Sequence, residues 1–250
     1  MKPAANPTEV DGQLIVYFSS DGIMRSRSVS PLVLQATLDI PPPPARLIAD
    51  WNREVADLGL EIGDIESLPL ARTIVRWPDY SRCVAAVSGW MQTQGLGDLL
   101  DPSDLALMAC RGVHYHYDAE QYAGSVFCNL FLSEDKALDL HFPVLDLRIP
   151  LSRGTAVIFD TAQPHAVIPR GRSSFNATDF APDQDCTQAF LTWELPVENA
   201  HIAAALRIDF GLDAQGVSGP DSVKRDEQGV RLNGISVTVC PETGRWSRSA

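Results

Sequence analysis

The chain has 250 residues, 45% of them hydrophobic, enough for one substantial core, and carries a formal net charge of −12 at pH 7. An acidic field of that size repels phosphate backbones, and no run of about 18 apolar residues occurs, so neither nucleic acid nor a membrane is an expected partner. Five cysteines (Cys83, Cys110, Cys128, Cys186, Cys240) are dispersed without a Cys-x-x-Cys pair. This pattern predicts reduced thiols in a cytoplasmic protein, not a disulfide framework or a zinc site, with Cys110 and Cys128 filling core space. The opening Met-Lys-Pro-Ala-Ala-Asn-Pro lacks the apolar segment of a secretory signal.

In chain order, residues 1–11 read as a loose leader. Gln13–Phe18 has strand composition, Ser19-Ser20-Asp21-Gly22 signals a turn, and Ile23–Val29 returns as the partner strand. Prolines 41–44 fix an extended entry to a helix over Ala45–Leu58, whose Leu47, Ile48, Trp51, Val55 and Leu58 recur at helical spacing. A second helix is predicted over Tyr80–Thr93, with Cys83, Val84, Val87, Trp90 and Met91 on its buried face, Asp79 or Ser81 at its cap, and Gly95 ending it. Asp101-Pro102-Ser103-Asp104 is a connector. From Leu105 the pattern changes to short strands: Leu105–Tyr117, Ser125–Leu132, Leu138–His141, Val144–Leu151, Thr155–Phe159, His165–Pro169 and Thr187–Leu195. The long polar stretch Gly171–Cys186 is a candidate lid or substrate loop. Beyond Pro196, Ala200–Leu206 reads as a short helix, residues 213–229 as a linker, and Val230–Val237 as a hairpin around Asn233-Gly234, with a further strand in Val239–Trp246.

Two stretches carry chemistry. His116-Tyr117-Asp118 ends the first long strand, and alternation of side chains points His116 and Asp118 the same way, roughly 6–7 Å apart along the strand. Gly154 to Pro169 contains a Phe159-Asp160 strand end, then Pro164-His165-Ala166-Val167. His165 supplies a third ligand from a facing strand. Two histidines and one carboxylate on one face of an ion leave its other positions open, an arrangement suited to non-haem Fe(II) and oxygen. A second ligand set stays open: His114-x-His116 with Glu120 and His165 makes a four-ligand site. His141 and His201 have no matching pattern and are assigned structural or surface roles.

The combination of His-x-Asp, Gly-x-x-x-x-Phe-Asp and Pro-His-x-Val-x-Pro, spread over residues 105–197, resembles the Fe(II)- and 2-oxoglutarate-dependent dioxygenases. The resemblance implies a mainly β fold with flanking helices, a double-stranded β-helix or cupin-like jelly roll. Residues 105–197 then form the catalytic core, residues 1–104 contribute strands and buttressing helices to the same domain, and residues 198–250 form a C-terminal extension that packs on the barrel or on another subunit of a homodimer. The resemblance implies that His116, Asp118 and His165 hold Fe(II), and that 2-oxoglutarate and O2 are cosubstrates. A carboxylate at Asp118 implies hydroxylation, desaturation or cyclisation in preference to halogenation. The far carboxylate of 2-oxoglutarate needs a basic partner, which the family usually carries in an Arg-x-Ser motif on the last core strand. Arg172-Ser173-Ser174 has the motif close behind His165, while Thr187–Trp193 contains no arginine. Arg172 and Arg170 are the first candidates, and Arg148 is another. Tyr115, Tyr117, Tyr122 and Trp193 are candidates for the pocket wall, with Tyr115 and Tyr117 favoured for packing on the opposite face. The expected substrate is a small molecule such as an amino acid or specialised metabolite. The competing expectations are a cupin-type iron dioxygenase that does not use 2-oxoglutarate and a non-enzymatic jelly-roll binding module.

Overall fold

A computed structural model describes residues 14–101, 104–181, 184–212 and 229–248. The expected leader, Gln13 of the first expected strand, Pro102 and Ser103 of the connector, residues 182–183 of the expected lid and residues 213–228 of the linker lie outside those residues. The chain begins with the predicted hairpin, β1 (Leu14–Ser20) and β2 (Ile23–Ser28), turning at Asp21-Gly22. Next come β3 (Val33–Thr37), α1 (Ala45–Leu58), β4 (Ile65–Leu68), α2 (Leu70–Arg76) and α3 (Tyr80–Thr93). Both long helices occupy the spans that their apolar spacing predicts. The stripe of α1 is narrower than expected: Leu47, Trp51 and Val55 are buried, whereas Ile48 and Leu58 face solvent. Asp79 precedes α3, but its side chain makes no capping bond.

The remaining strands are β5 (Leu105–Arg111), β6 (Val113–His116), β7 (Ser125–Phe131), β8 (Leu138–Phe142), β9 (Leu147–Pro150), β10 (Thr155–Asp160), β11 (His165–Pro169) and β12 (Thr187–Pro196). They alternate between two antiparallel sheets, ordered β3-β10-β7-β12-β5-β4 and β6-β11-β8-β9. This is the winding of a double-stranded β-helix, the fold class expected from the sequence. The strand predicted over Leu105–Tyr117 is in fact two strands. Gly112, at φ +64°, breaks it and carries the chain from one sheet to the other. A Cβ there would strike the Phe180 ring, so both the backbone angle and the packing demand glycine.

Alternation along the strands explains the layers. On the six-stranded sheet Leu107, Ala109, Cys128, Leu130, Leu191 and Trp193 face α1 and α3, forming the larger core. Phe131, Val157, Phe159 and Phe190 face the opposite way, toward Leu138, Leu140 and Phe142 of the second sheet. The C-terminal part supplies α5 (Ala200–Leu206, after the four-residue α4, Ala119–Tyr122), β13 (Gly229–Leu232), β14 (Ile235–Val239) and β15 (Trp246–Arg248). The hairpin around Asn233-Gly234 forms as expected and joins the N-terminal one in a sheet ordered β15-β14-β13-β1-β2. The extension therefore packs on its own chain. Val239 also rests on Tyr115 and Ile168 at the outer face of the second sheet. No described helix is long and apolar enough to cross a membrane.

One buried ion pair ties these layers. Arg27 of β2 and Asp160 at the end of β10 are both 0% exposed and bond in two-pronged geometry, 2.7 and 2.9 Å. Removing one partner leaves an uncompensated charge in the interior. Arg27→Met is expected to lower unfolding free energy by about 3–5 kcal/mol, and the double variant Arg27→Met/Asp160→Leu to recover part of it. Denaturant titration of the three proteins checks this, and a single-variant loss within experimental error would refute the assigned role.

Candidate metal centre

His116 ends β6 and His165 begins β11, and the two stand directly opposite one another in the antiparallel register, with ring centroids 4.3 Å apart. Asp118 is not a strand residue. The strand stops at His116, and Asp118 sits at φ −103°, ψ 0° as the residue leading into α4. Its side chain reaches the histidines because the chain turns, not because of the strand alternation expected from the sequence. The turn is held by the Asp118 N–H donating to the Thr161 carbonyl at 2.7 Å.

The side chains converge. Ligand atoms of His116, Asp118 and His165 all lie within 4.8 Å of one another. Asp118 Oδ1 is 3.5 Å from His116 Nε2, and Asp118 Oδ2 is 3.5 Å from His165 Nε2. Donor atoms bound to one ion at about 2.1 Å stand roughly 3.0–3.5 Å apart, so a modest contraction completes the site. Both imidazoles are oriented from behind: His116 Nδ1 is 2.9 Å from the His114 carbonyl, and His165 Nδ1 is 2.9 Å from the Gln163 carbonyl. A carbonyl only accepts, so each Nδ1 carries the proton and each Nε2 turns its lone pair toward Asp118. Such carbonyl-oriented imidazoles are the usual support of a metal site.

The electrostatics agree with this. Burial pushes the Asp118 carboxyl above its ordinary value, against a smaller lowering by His116. Burial, and then His116, push His165 well below the usual imidazole range. The pocket therefore keeps His165 neutral, as a ligand must be. Without a cation, two lone pairs and a carboxylate confront one another. A divalent cation resolves that conflict, so the residues fit a metal.

The cluster opens into a cavity of about 610 Å³ between the two sheets, whose walls include Met108, Phe127, Phe131, Leu140, Phe159 and Phe190. His165 is 8% exposed on its side chain, against 26% for His116 and 22% for Asp118, so the approach to an ion is from the side of His116 and Asp118. His114 lines the cavity with its ring 6.0 Å from that of His116, but stands outside the three-residue cluster. Glu120 also stands outside it and accepts a 2.8 Å bond from the Tyr117 hydroxyl. The four-ligand alternative is thus not assembled.

The three arginines suggested as 2-oxoglutarate anchors do not line the cavity. Arg172 pairs with Asp179 at 3.1 Å. Arg170 is held by Asp135 and Asp139 at 2.9 and 3.0 Å. Arg148 lies 3.9 Å from Asp139. Asp139 neighbours Leu140 on β8, and alternation sends Leu140 into the cavity and Asp139 out of it, so Arg148 and Arg170 belong to the outer face. Tyr122 does line the cavity, whereas Trp193 faces the helices. Tyr115 is buried on the outer face against His141, as its alternation predicts. In the 171–186 loop, Phe175 bonds to Glu242 through its N–H and Phe180 is buried under Gly112, so the described part of the suspected lid is tied down.

Sequence reasoning missed Asn129, Glu194, Asp64, Glu66 and Asp104 on the cavity wall. A signal existed in β12, where Phe190, Thr192 and Glu194 alternate with Leu191, Trp193 and Leu195. Which set faces inward became legible only once the helices covered the other.

No protein-family model matches the chain, and a search of curated proteins finds no match. Among solved structures, it is similar to a viral collagen prolyl hydroxylase from Paramecium Bursaria Chlorella virus-1 in its 2-oxoglutarate complex, at 12% identity over 65% of this chain and 94% of that one, TM-score 0.36. It is also similar to EvdO2 from Micromonospora carbonacea var. aurantiaca complexed with 2-oxoglutarate, at 14% identity over 66% and 86%, TM-score 0.37. A third is the non-haem alpha-ketoglutarate-dependent epimerase SnoN from nogalamycin biosynthesis, at 11% identity over 78% and 89%, TM-score 0.34.

Alanine at His116, Asp118 or His165 is expected to weaken Co(II) or Fe(II) binding by at least about tenfold, while His114→Ala and Glu120→Ala stay within about threefold of the parent. Calorimetric metal titration of the five variants checks the assignment. A large loss in the last two would restore the four-ligand set.

Proposed function

We propose that the chain is a non-haem Fe(II) oxygenase of the 2-oxoglutarate-dependent type that hydroxylates an unactivated C–H bond of a small molecule held in the cavity. The observation that supports this most is the convergence of His116, Asp118 and His165 at the edge of a jelly-roll cavity, with both imidazoles oriented by backbone carbonyls. When bound, Fe(II) together with 2-oxoglutarate and O2 supplies the oxidant; substrate, 2-oxoglutarate and O2 yield hydroxylated product, succinate and CO2. The chain's own residues provide three things. The Nδ1 bonds hold His116 and His165 in the ligating tautomer. Asp118 would supply the negative charge that anchors a dication. The aromatic and aliphatic wall keeps bulk water from the reacting carbon and strengthens polar contacts inside. The five free cysteines fit the expected cytoplasmic setting.

A second reading, a metal-dependent oxygenase that does not use 2-oxoglutarate, is favoured by one observation: among the described residues, no lysine or arginine lines the cavity. On β12, where the resemblance places an arginine, the inward positions hold Phe190, Thr192 and Glu194. Thr192 is the neutral hydroxyl there that can donate to a carboxylate.

Anaerobic addition of Fe(II) and then 2-oxoglutarate to the purified chain is expected to produce the visible metal-to-ligand charge-transfer band of a chelated keto acid, and Asp118→Ala to abolish it while the protein stays folded. Iron binding with no band would transfer the assignment to the second reading. Full turnover in Asp118→Ala would end both.

A further inference from the structure

The rim of the same cavity has a one-sided charge. Besides Asp118, its lining among the described residues includes the exposed carboxylates of Asp64, Glu66, Asp104 and Glu194, and neither lysine nor arginine. Glu194 stands opposite Phe127 in the β12–β7 register, and the Tyr122 ring packs 5.0 Å from the Phe127 ring. The carboxyl of Glu194 is pushed up by burial and by the charge of Asp104. The Tyr122 hydroxyl is pushed up by burial, then by the negative charges of Glu194 and Asp118, which sets Tyr122 within the field of both the rim and the triad.

An independent observation lies deeper. Asn129 is 7% exposed and lines the cavity, yet its Oδ1 accepts no hydrogen bond among the described residues. It is one inward-facing step from Phe127 on β7 and pairs in register with Thr192. A buried amide oxygen without a donor is a rare and costly feature in a protein interior, and here it points to a ligand that brings a donor. Carboxylates that repel one another, two aromatic rings and an orphan acceptor share one complement: a positively charged group with N–H donors.

We propose that the cavity selects an organic cation, a small molecule whose alkylammonium group lies between Glu194 and the Tyr122–Phe127 rings while its carbon chain extends toward His116, Asp118 and His165. Glu194 is then a specificity-determining residue. A carboxylate in the same place would meet only like charges at the rim. The inference rests on the cavity serving the triad's substrate, but it does not depend on which cosubstrate is used.

The test compares hexylammonium, hexanol and hexanoate, which share one chain and differ in the head group, by calorimetry on the whole metal-free chain and on the Mn(II)-loaded chain. Hexylammonium is expected to bind about tenfold or more tightly than either analogue, a discount from a fully buried contact because the rim carboxylates are exposed. Glu194→Gln, nearly isosteric and at an exposed position, is expected to erase the preference without changing Mn(II) affinity. Loaded Mn(II) should broaden the ligand's methyl proton signal as well as bind. Equal or tighter hexanoate binding, a preference that survives Glu194→Gln, or no hexylammonium binding at millimolar concentration would each overturn the proposal. Failure of the parent chain to bind Mn(II) would count against the triad alone, because the ammonium preference is read separately in the metal-free protein.

Discussion

The His116–Asp118–His165 cluster hangs from a buried ion pair that never touches it. Arg27 and Asp160 are withdrawn completely from water, and desolvating two charges costs several kcal/mol per ion. The network offsets that cost by leaving few groups wanting. Arg27 Nε donates to the Ala123 carbonyl at 2.8 Å, and its terminal nitrogens reach Asp160 and the Ser28 carbonyl. Asp160 also accepts from the N–H groups of Ser30 and Ala162 at 2.7 and 2.9 Å. Three separate pieces of chain thus meet: β2 with the residues just after it, the end of α4, and the turn after β10. That turn then does the positioning. The Thr161 carbonyl holds Asp118, the Thr161 hydroxyl holds the carbonyls of Tyr122 and Ser125, and the Gln163 carbonyl holds His165. Gln163 is itself fastened to the Ser30 carbonyl. Two of the three residues of the cluster are therefore placed by one short turn.

This arrangement explains why a carboxylate and two imidazoles can be left facing each other. Lone pairs pointed at a carboxylate are unfavourable until a cation arrives, and a flexible site would rotate to avoid the conflict. The carbonyl bonds behind His116 and His165 prevent the rotation, and the helical start at Asp118 prevents the backbone from carrying the carboxylate away. The stability invested in the Arg27–Asp160 network is what allows the centre to be held in a geometry that it would not choose alone.

Much of this was legible in the sequence, and the pattern of what was not has physical causes. The helices over Ala45–Leu58 and Tyr80–Thr93 follow from apolar spacing, because each buries one face against a sheet. The convergence of His116, Asp118 and His165 follows from motif spacing, because a metal site would need such side chains within a few ångströms. The route by which Asp118 arrives differs from the expected alternation beyond His116: the strand expected over Leu105–Tyr117 is broken at Gly112 and stops at His116, and Asp118 leads into α4. The short strands β3 and β4 escaped because they are partly exposed edge strands without clear alternation. Arg27 gave no local signal at all, since its meaning comes from a partner 133 residues away. Arg172 is proposed as an anchor from the Arg-x-Ser motif and Arg148 from its place on a core strand, but a motif does not fix which face a side chain takes, and strand alternation turns Arg148 and Arg170 to the outer face of the second sheet.

The charge of the cavity is the deeper consequence of that last point. With the arginines engaged elsewhere, the space between the sheets has aromatic walls, an acidic rim and the His116–Asp118–His165 cluster. An anion entering such a space finds attraction only at a bound dication, so a keto acid there would depend on chelation far more than on a distal clamp. An organic cation finds the reverse: attraction at the rim and none at the ion. The two requirements are complementary. On the proposed reading, opposite charges would sort the two molecules to opposite ends of one cavity, the keto acid to the triad and the organic cation to the rim. The carbon between them would then be held near His116, Asp118 and His165 by electrostatics, without a basic residue.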